Sequence, residues 1–171
     1  AYTVMADFRK DHASDEGKLI YFGYSFGIHV KKTGLSVFVT TDKGTKWINT
    51  NADVNDTSWH KLALTFDSGA GKAVLYLDGQ AIGTAYGLKG ATQVGNKAHD
   101  FHVGSPAGNS FDGRVDNVTF LTDDLSAAEV KSVHSGATSV SSFGLLWTQA
   151  IPAMPAGRSP TRWSQRTPKC L

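Results

Sequence analysis

The stretch from Trp59 to Gly79 leaves the chain little choice of local structure. Leu62, Leu64 and Phe66 alternate with Lys61, Ala63, Thr65 and Asp67, which is the period of a strand with one face buried and the other toward solvent. Ser68 to Gly71 tolerate a tight reversal, and Ala73 to Leu77 run back as a second strand. Asp78-Gly79 turns the chain once more, into Gln80 to Ala85. The result is a meander of three strands joined by glycine-bearing turns.

The chain before it follows the same grammar. Tyr2, Val4, Ala6 and Phe8 alternate with Thr3, Met5, Asp7 and Arg9, and after a polar loop Lys18 to Tyr24 returns as a strand too apolar on both faces to lie at an edge. Phe26, Ile28 and Val30 alternate with Gly27, His29 and Lys31; Leu35, Val37 and Val39 continue past a turn at Thr33-Gly34, and Asp42-Lys43-Gly44 leads to Trp47-Ile48. His99 to Gly104 and Phe111 to Leu121 read as two further strands. Strands this short, spaced by glycine turns, predict an all-β, antiparallel, two-sheet jelly-roll-like sandwich. Its expected core includes Leu62, Leu64, Phe66, Leu75, Val115 and Phe120. One helix is predicted, from Ser126 to Ser135: Ser126 and Glu129 have capping-box spacing, and Gly136 stops it. It is expected to plug one open end of the sandwich.

A Trp59-His60 pair opening a strand, a hairpin, and then Leu75-Tyr76-Leu77-Asp78-Gly79 together resemble the laminin G-like and concanavalin A-like sandwich domains. Phe111-Asp112-Gly113-Arg114-Val115-Asp116-Asn117-Val118, followed by Leu125 to Val130, is similar to the closing strand and short helix of their bacterial members. The two blocks lie in the expected order, and the resemblance covers residues 1 to 136. It implies a lectin-like fold of an extracellular or cell-surface protein, and a fold that lectins, adhesion modules and hydrolases share. It also implies a structural calcium ion at the closing strand, held by Asp116, because hard cations favour carboxylate and carbonyl oxygens. The alternative for Asp116 is a bond to neighbouring backbone. The sialic-acid-binding module of bacterial sialidases has a similar closing block; an acidic sugar would need an exposed arginine, for which Arg9 and Arg114 are the body's candidates.

At 171 residues the chain suffices for one core without disulfides. The single cysteine, Cys170, has no partner within the chain and assigns no redox compartment. No apolar run approaches the ~18 residues of a membrane span, so no membrane insertion is expected. Four of the 17 basic residues and none of the 15 acidic ones fall after Gly144, so the net charge of +2 belongs to the tail and leaves the body slightly acidic. Nucleic acid is therefore not an expected partner.

Residues 137–171 form a tail, first rich in Ser, Thr and Gly and then in Pro and Arg. It reads as a linker, as residues foreign to the domain, or as a segment in which Leu145 to Ile151 supplies a short pairing strand. The last reading follows because domains of the resembled class begin one or two strands earlier, and an unfilled edge invites association through its unpaired backbone groups. The oligomeric state is left open.

Chemistry-bearing motifs are sparse. Gly69-Ala70-Gly71-Lys72 lacks the rest of a phosphate-binding loop and is a hairpin turn. His99 and His102, three apart in a strand, point to opposite faces and do not make a metal pair. Glycosidic hydrolysis needs two carboxylates about 5 to 9.5 Å apart across the bond. The Glu-x-Asp-x-x-Glu run of sandwich-fold glucanases does not occur, and Gly27-Ile28-His29 departs from the Gln-Ile-His of the alginate lyases. Sugar binding instead needs an aromatic platform and flat polar groups on loops. Trp47, Asn49, Asn51 and Asp53 cluster in one region, and Tyr86, His99 and Asn109 lie in others. The resemblance, with these catalytic motifs missing, thus implies a non-catalytic carbohydrate-binding or adhesion module whose partner is a glycan or cell-surface glycoconjugate; a polysaccharide lyase or glycoside hydrolase of the same fold is the alternative.

Overall fold

The computed structural model describes residues 1–91, 101–104 and 108–143, and the backbone of 145–149. Its strands in chain order are β1 (Tyr2–Lys10), β2 (Gly17–Phe22), β3 (Phe26–Lys31), β4 (Gly34–Thr41), β5 (Gly44–Asn49), β6 (His60–Asp67), β7 (Lys72–Leu77), β8 (Gln80–Tyr86), β9 (Phe101–Val103), β10 (Gly113–Leu121) and β11 (Leu145–Gln149). They form a six-stranded sheet in the order β11-β10-β1-β6-β7-β8 and a five-stranded sheet in the order β5-β4-β3-β2-β9. Neighbouring strands pair antiparallel, and the sheets face each other as a jelly-roll-like sandwich.

Alternation sends one set of side chains from every strand inward. Val4, Phe8, Leu62, Leu64, Phe66 and Leu75 from the larger sheet meet Phe26, Ile28, Val30, Val37 and Ile48 from the smaller one in a single buried cluster. Val115 and Phe120 pack against it partly buried. Alternation cannot place both of these inside, since they are an odd number of positions apart. A bulge at Asp116-Asn117, with Asn117 in the left-handed region at φ 50°, shifts the phase of β10 between them.

The meander has the expected turns. Asp78 and Gly79 both have positive φ, 50° and 80°, which is the two-residue hairpin geometry matched to strand twist. Asp78 also reaches back to the start of β6. Its Oδ1 accepts the Lys61 N–H at 2.7 Å, and its Oδ2 lies 2.9 Å from Nδ1 of His60, which must donate because a carboxylate only accepts. The ring of His60 packs 5.5 Å from that of Phe8, so the histidine beside Trp59 is a buried latch.

The helix α1 spans Ala127–His134, with Ser126 and Glu129 making both halves of the capping box. It does not plug an open end, as the sequence pattern implies. It lies with Leu125 on the outer face of the six-stranded sheet, where Val130 joins Met5, Ala63, Val74, Tyr76 and Leu121 in a second apolar cluster. The reason is that Met5 and Ala63, which alternation assigns to the solvent side, are flanked across the strands by other apolar residues. β11 extends the same sheet, pairing with β10 so that Trp147 stands opposite Phe120.

Leu125→Ala is expected to lower unfolding stability by about 2 to 5 kcal/mol, as for a main-core leucine, although it lies outside the sandwich. Urea denaturation checks this, and a change near zero would show that the second cluster contributes little.

Candidate functional site

The outer face of the five-stranded sheet is built from residues that alternation turns away from the core. Cross-strand partners share a face, and the register joins His102, Tyr21, Gly27, Phe38 and Trp47 into one row across β9, β2, β3, β4 and β5. A second row, two residues along each of β3, β4 and β5, joins Lys18, His29, Ser36 and Asn49. The first row is mainly aromatic and the second polar.

The aromatic row is continuous. The Phe38 ring lies 5.3 Å from Trp47 and 5.8 Å from Tyr21, tilted to both, and the Lys18 ammonium sits 5.5 Å above the Tyr21 ring. Gly27 makes this possible. A Cβ there would collide with the Phe38 ring, which occupies the space that a side chain on β3 would fill. Trp47 is 56% exposed whereas Phe38 is largely covered, so the tryptophan is the platform and the phenylalanine its support.

In the polar row the Ser36 hydroxyl donates to Asn49 Oδ1 at 2.6 Å, which holds the amide plane beside Trp47. His29 lies between Lys18 and Lys31. Burial, and then those two ammoniums, push its pKa below 6.5, so the imidazole is neutral at neutral pH. Beside it opens a cavity of about 450 Å³ lined by Glu16, Gly17, His29, Val30, Lys31 and Asn109. Asn109 is exposed and left-handed at φ 54°, and its carbonyl accepts the Lys18 N–H at 2.8 Å. None of the five strands contains an Asp or a Glu.

Of the residues singled out in the sequence, Trp47 and Asn49 share this face and Asn109 borders its cavity. Asn51 and Asp53 are exposed in the loop after β5, where Asp53 Oδ1 accepts the Asn55 N–H at 3.1 Å. Tyr86 is 70% exposed but ends β8 in the other sheet, opposite Lys72. His99 lies outside the described residues. Asp116 stands opposite Asp7 at the β10 bulge, and its Oδ1 accepts the Asn117 N–H at 2.7 Å. Asp7 Oδ2 is engaged by Lys61 Nζ at 3.2 Å and Asn117 Nδ2 at 2.8 Å. No group of three or more His, Cys, Asp or Glu side chains suited to a metal occurs among the described residues. Arg9 and Arg114 are cross-strand partners in the six-stranded sheet, 3.8 Å and 3.6 Å from Asp11 Oδ1.

Tyr21, Phe38, His29 and Lys18, which the register adds to this face, were not legible as candidates. An aromatic on the polar side of an alternating strand is the available signal, and Phe38 carries it; that Tyr21 and Trp47 lie in line with it needs the register.

A family model described as the concanavalin A-like lectin/glucanases superfamily matches residues 1–131. No curated protein sequence matches. Among solved structures, a candidate carbohydrate binding protein of Bacteroides ovatus has a TM-score of 0.69 at 18% identity over 87% of this chain. This chain covers only 44% of that one, under half its length. The CBM40 module of a Ruminococcus gnavus IT-sialidase has a TM-score of 0.66 at 17% identity, over 78% of this chain and 82% of the module. It has also been solved with α2,3-sialyllactose, and that structure scores 0.61 at 18% identity over the same 78% and 82%. A heptameric SAP-like pentraxin of Limulus polyphemus scores 0.59 at 16% identity, over 90% of this chain and 79% of the pentraxin. At these identities the likeness is one of fold.

The depressed pKa of His29 makes a stability prediction. Between 6.5 and the lower native value the unfolded chain binds the proton first, so stability falls as the pH drops through that window. His29→Gln is expected to flatten this part of the stability-against-pH curve, measured by denaturant midpoints.

Proposed function

The chain belongs to the concanavalin A-like lectin/glucanases superfamily, and from that premise we propose that it is a non-catalytic carbohydrate-binding module of an extracellular or cell-surface protein. The observation that carries the reading is the outer face of the five-stranded sheet. Trp47 offers a flat apolar surface for a sugar ring, and Asn49, fixed by Ser36, offers a planar amide for its hydroxyls. No strand of this face carries the carboxylate pair of glycosidic cleavage, which favours binding over turnover; Glu16 at the cavity and Asp53 in the loop are the carboxylates beside it. Asn109 at the cavity rim extends the site, and the loop residues Asn51 and Asp53 follow directly on β5. Tyr86, which ends β8 in the other sheet, belongs to the proposal only as a contact to a ligand reaching past the sheet edge, and His99 only as a candidate contact from the sequence.

Trp47→Ala is expected to weaken glycan binding by about tenfold or more, as for a central aromatic anchor, with an unchanged circular dichroism spectrum. A glycan array read beside turnover of alginate and a β-glucan is the test. Turnover without array binding would replace this reading with that of a lyase or hydrolase.

A calcium ion at Asp116 is the second part of the proposal. Two carboxylates opposite each other at a bulge suit a hard cation, while the Lys61 ammonium on Asp7 competes for one of them. Calcium is expected to raise the Tm by binding only the folded state, and Asp116→Ala to abolish the rise. An identical Tm in calcium and in EDTA removes the ion from the reading.

A further inference from the structure

The glycan-binding reading says that a sugar stacks on Trp47; the register says in which direction a longer ligand continues. Along β5 the same-face neighbours of Trp47 are Thr45 and Asn49, and along β4 those of Phe38 are Ser36 and Thr40. Neither strand repeats an aromatic along its own length on this face. Across the strands, the exposed Trp47 and the half-buried Tyr21 stand in one row, with the covered Phe38 and Gly27 between them and His102 beyond.

Resting on that reading, we infer that the ligand is an extended oligosaccharide laid across the strands, bound along at least three consecutive sugar units rather than gripped at one terminal residue. From β5 to β2 are three inter-strand steps of about 4.8 Å, roughly 14 Å in all, which is longer than one pyranose ring. Gly27 keeps the middle of that path free of a side chain, and the Phe38 ring fills the space against β3, so no knob separates the two ends. The polar row runs parallel one step away. Lys18 on β2, His29 on β3 and Asn49 on β5 thus present donors and acceptors beside the path, while the buried Ser36 of β4 holds the Asn49 amide. Neutral His29 accepts as well as donates, which suits hydroxyls. At one end of the row Trp47 is exposed and at the other His102 is half-buried, which suits the interior of a long chain as well as its end.

The experiment is a length series by calorimetry on the full chain, with β-linked gluco-, xylo- and manno-oligosaccharides and galacturonic acid oligomers from the single sugar to six units. The expected result is a Kd about tenfold or more lower for three units than for one in the bound series, levelling off soon after, since a chain of about that length reaches from Trp47 to Tyr21. Tyr21→Ala, at the far end of the row from Trp47, is expected to weaken the four-unit ligand by about tenfold. Equal Kd for one and four units overturns the inference and leaves the glycan-binding reading standing. No affinity at any length in any series overturns that reading and this one together. The wild-type series decides by itself if Tyr21→Ala does not fold.

Discussion

The two sheets meet around one aromatic stack. Tyr2 of the six-stranded sheet lies 5.2 Å from Phe66 and 5.6 Å from Phe120 of its own layer, and 5.4 Å from Phe26 of the other. Such pairs add about 0.5 to 1.5 kcal/mol each beyond the area they bury. The stack also tolerates a cost, because the buried Tyr2 hydroxyl has no hydrogen-bond partner among the described residues and its burial pushes the phenol's pKa well above the usual range. Committing the inner faces to this contact leaves each sheet one outer face.

Those two outer faces have opposite fates. On the six-stranded sheet Met5, Ala63, Val74 and Tyr76 would expose an apolar patch, and α1 covers it with Val130 and the adjoining Leu125. On the five-stranded sheet the outward residues are mixed, with aromatics in one row and hydrogen-bonding groups in the next. A surface of that kind is stable in water and still offers stacking area. Its charge is one-sided, since lysines and histidines stand on strands that carry no acid, and the crowding of ammoniums is part of what keeps His29 neutral.

The motifs that carry the family resemblance lie in the six-stranded sheet and its helix, away from the outer face of the five-stranded one. His60 and Asp78 hold the start of β6 to the β7–β8 turn, and the Ser126–Glu129 box starts the helix. Such residues serve the scaffold, which explains how a family match over residues 1–131 coexists with structural neighbours below 20% identity. Family membership speaks for the sandwich, and the sheet face has to speak for the ligand.

Alternation, turn chemistry and capping act over a few residues, so the sequence by itself determined the strands of the meander, the Asp78-Gly79 turn, the limits of α1 and most of the core. Trp47, Asn49 and Asn109 were also legible as candidates, because exposed aromatics and amides near turns stand out singly. What spans many residues was decided by tertiary structure alone. The bulge at Asn117 resets the phase of β10 without a mark in the hydrophobic pattern. The outward apolar residues of four strands make a seat for α1 only once the strands are side by side. Tyr21, Gly27, Phe38 and Trp47 become one row through strand register, which depends on pairing between distant segments, and a pattern of period two cannot encode which residue of one strand stands opposite which of another.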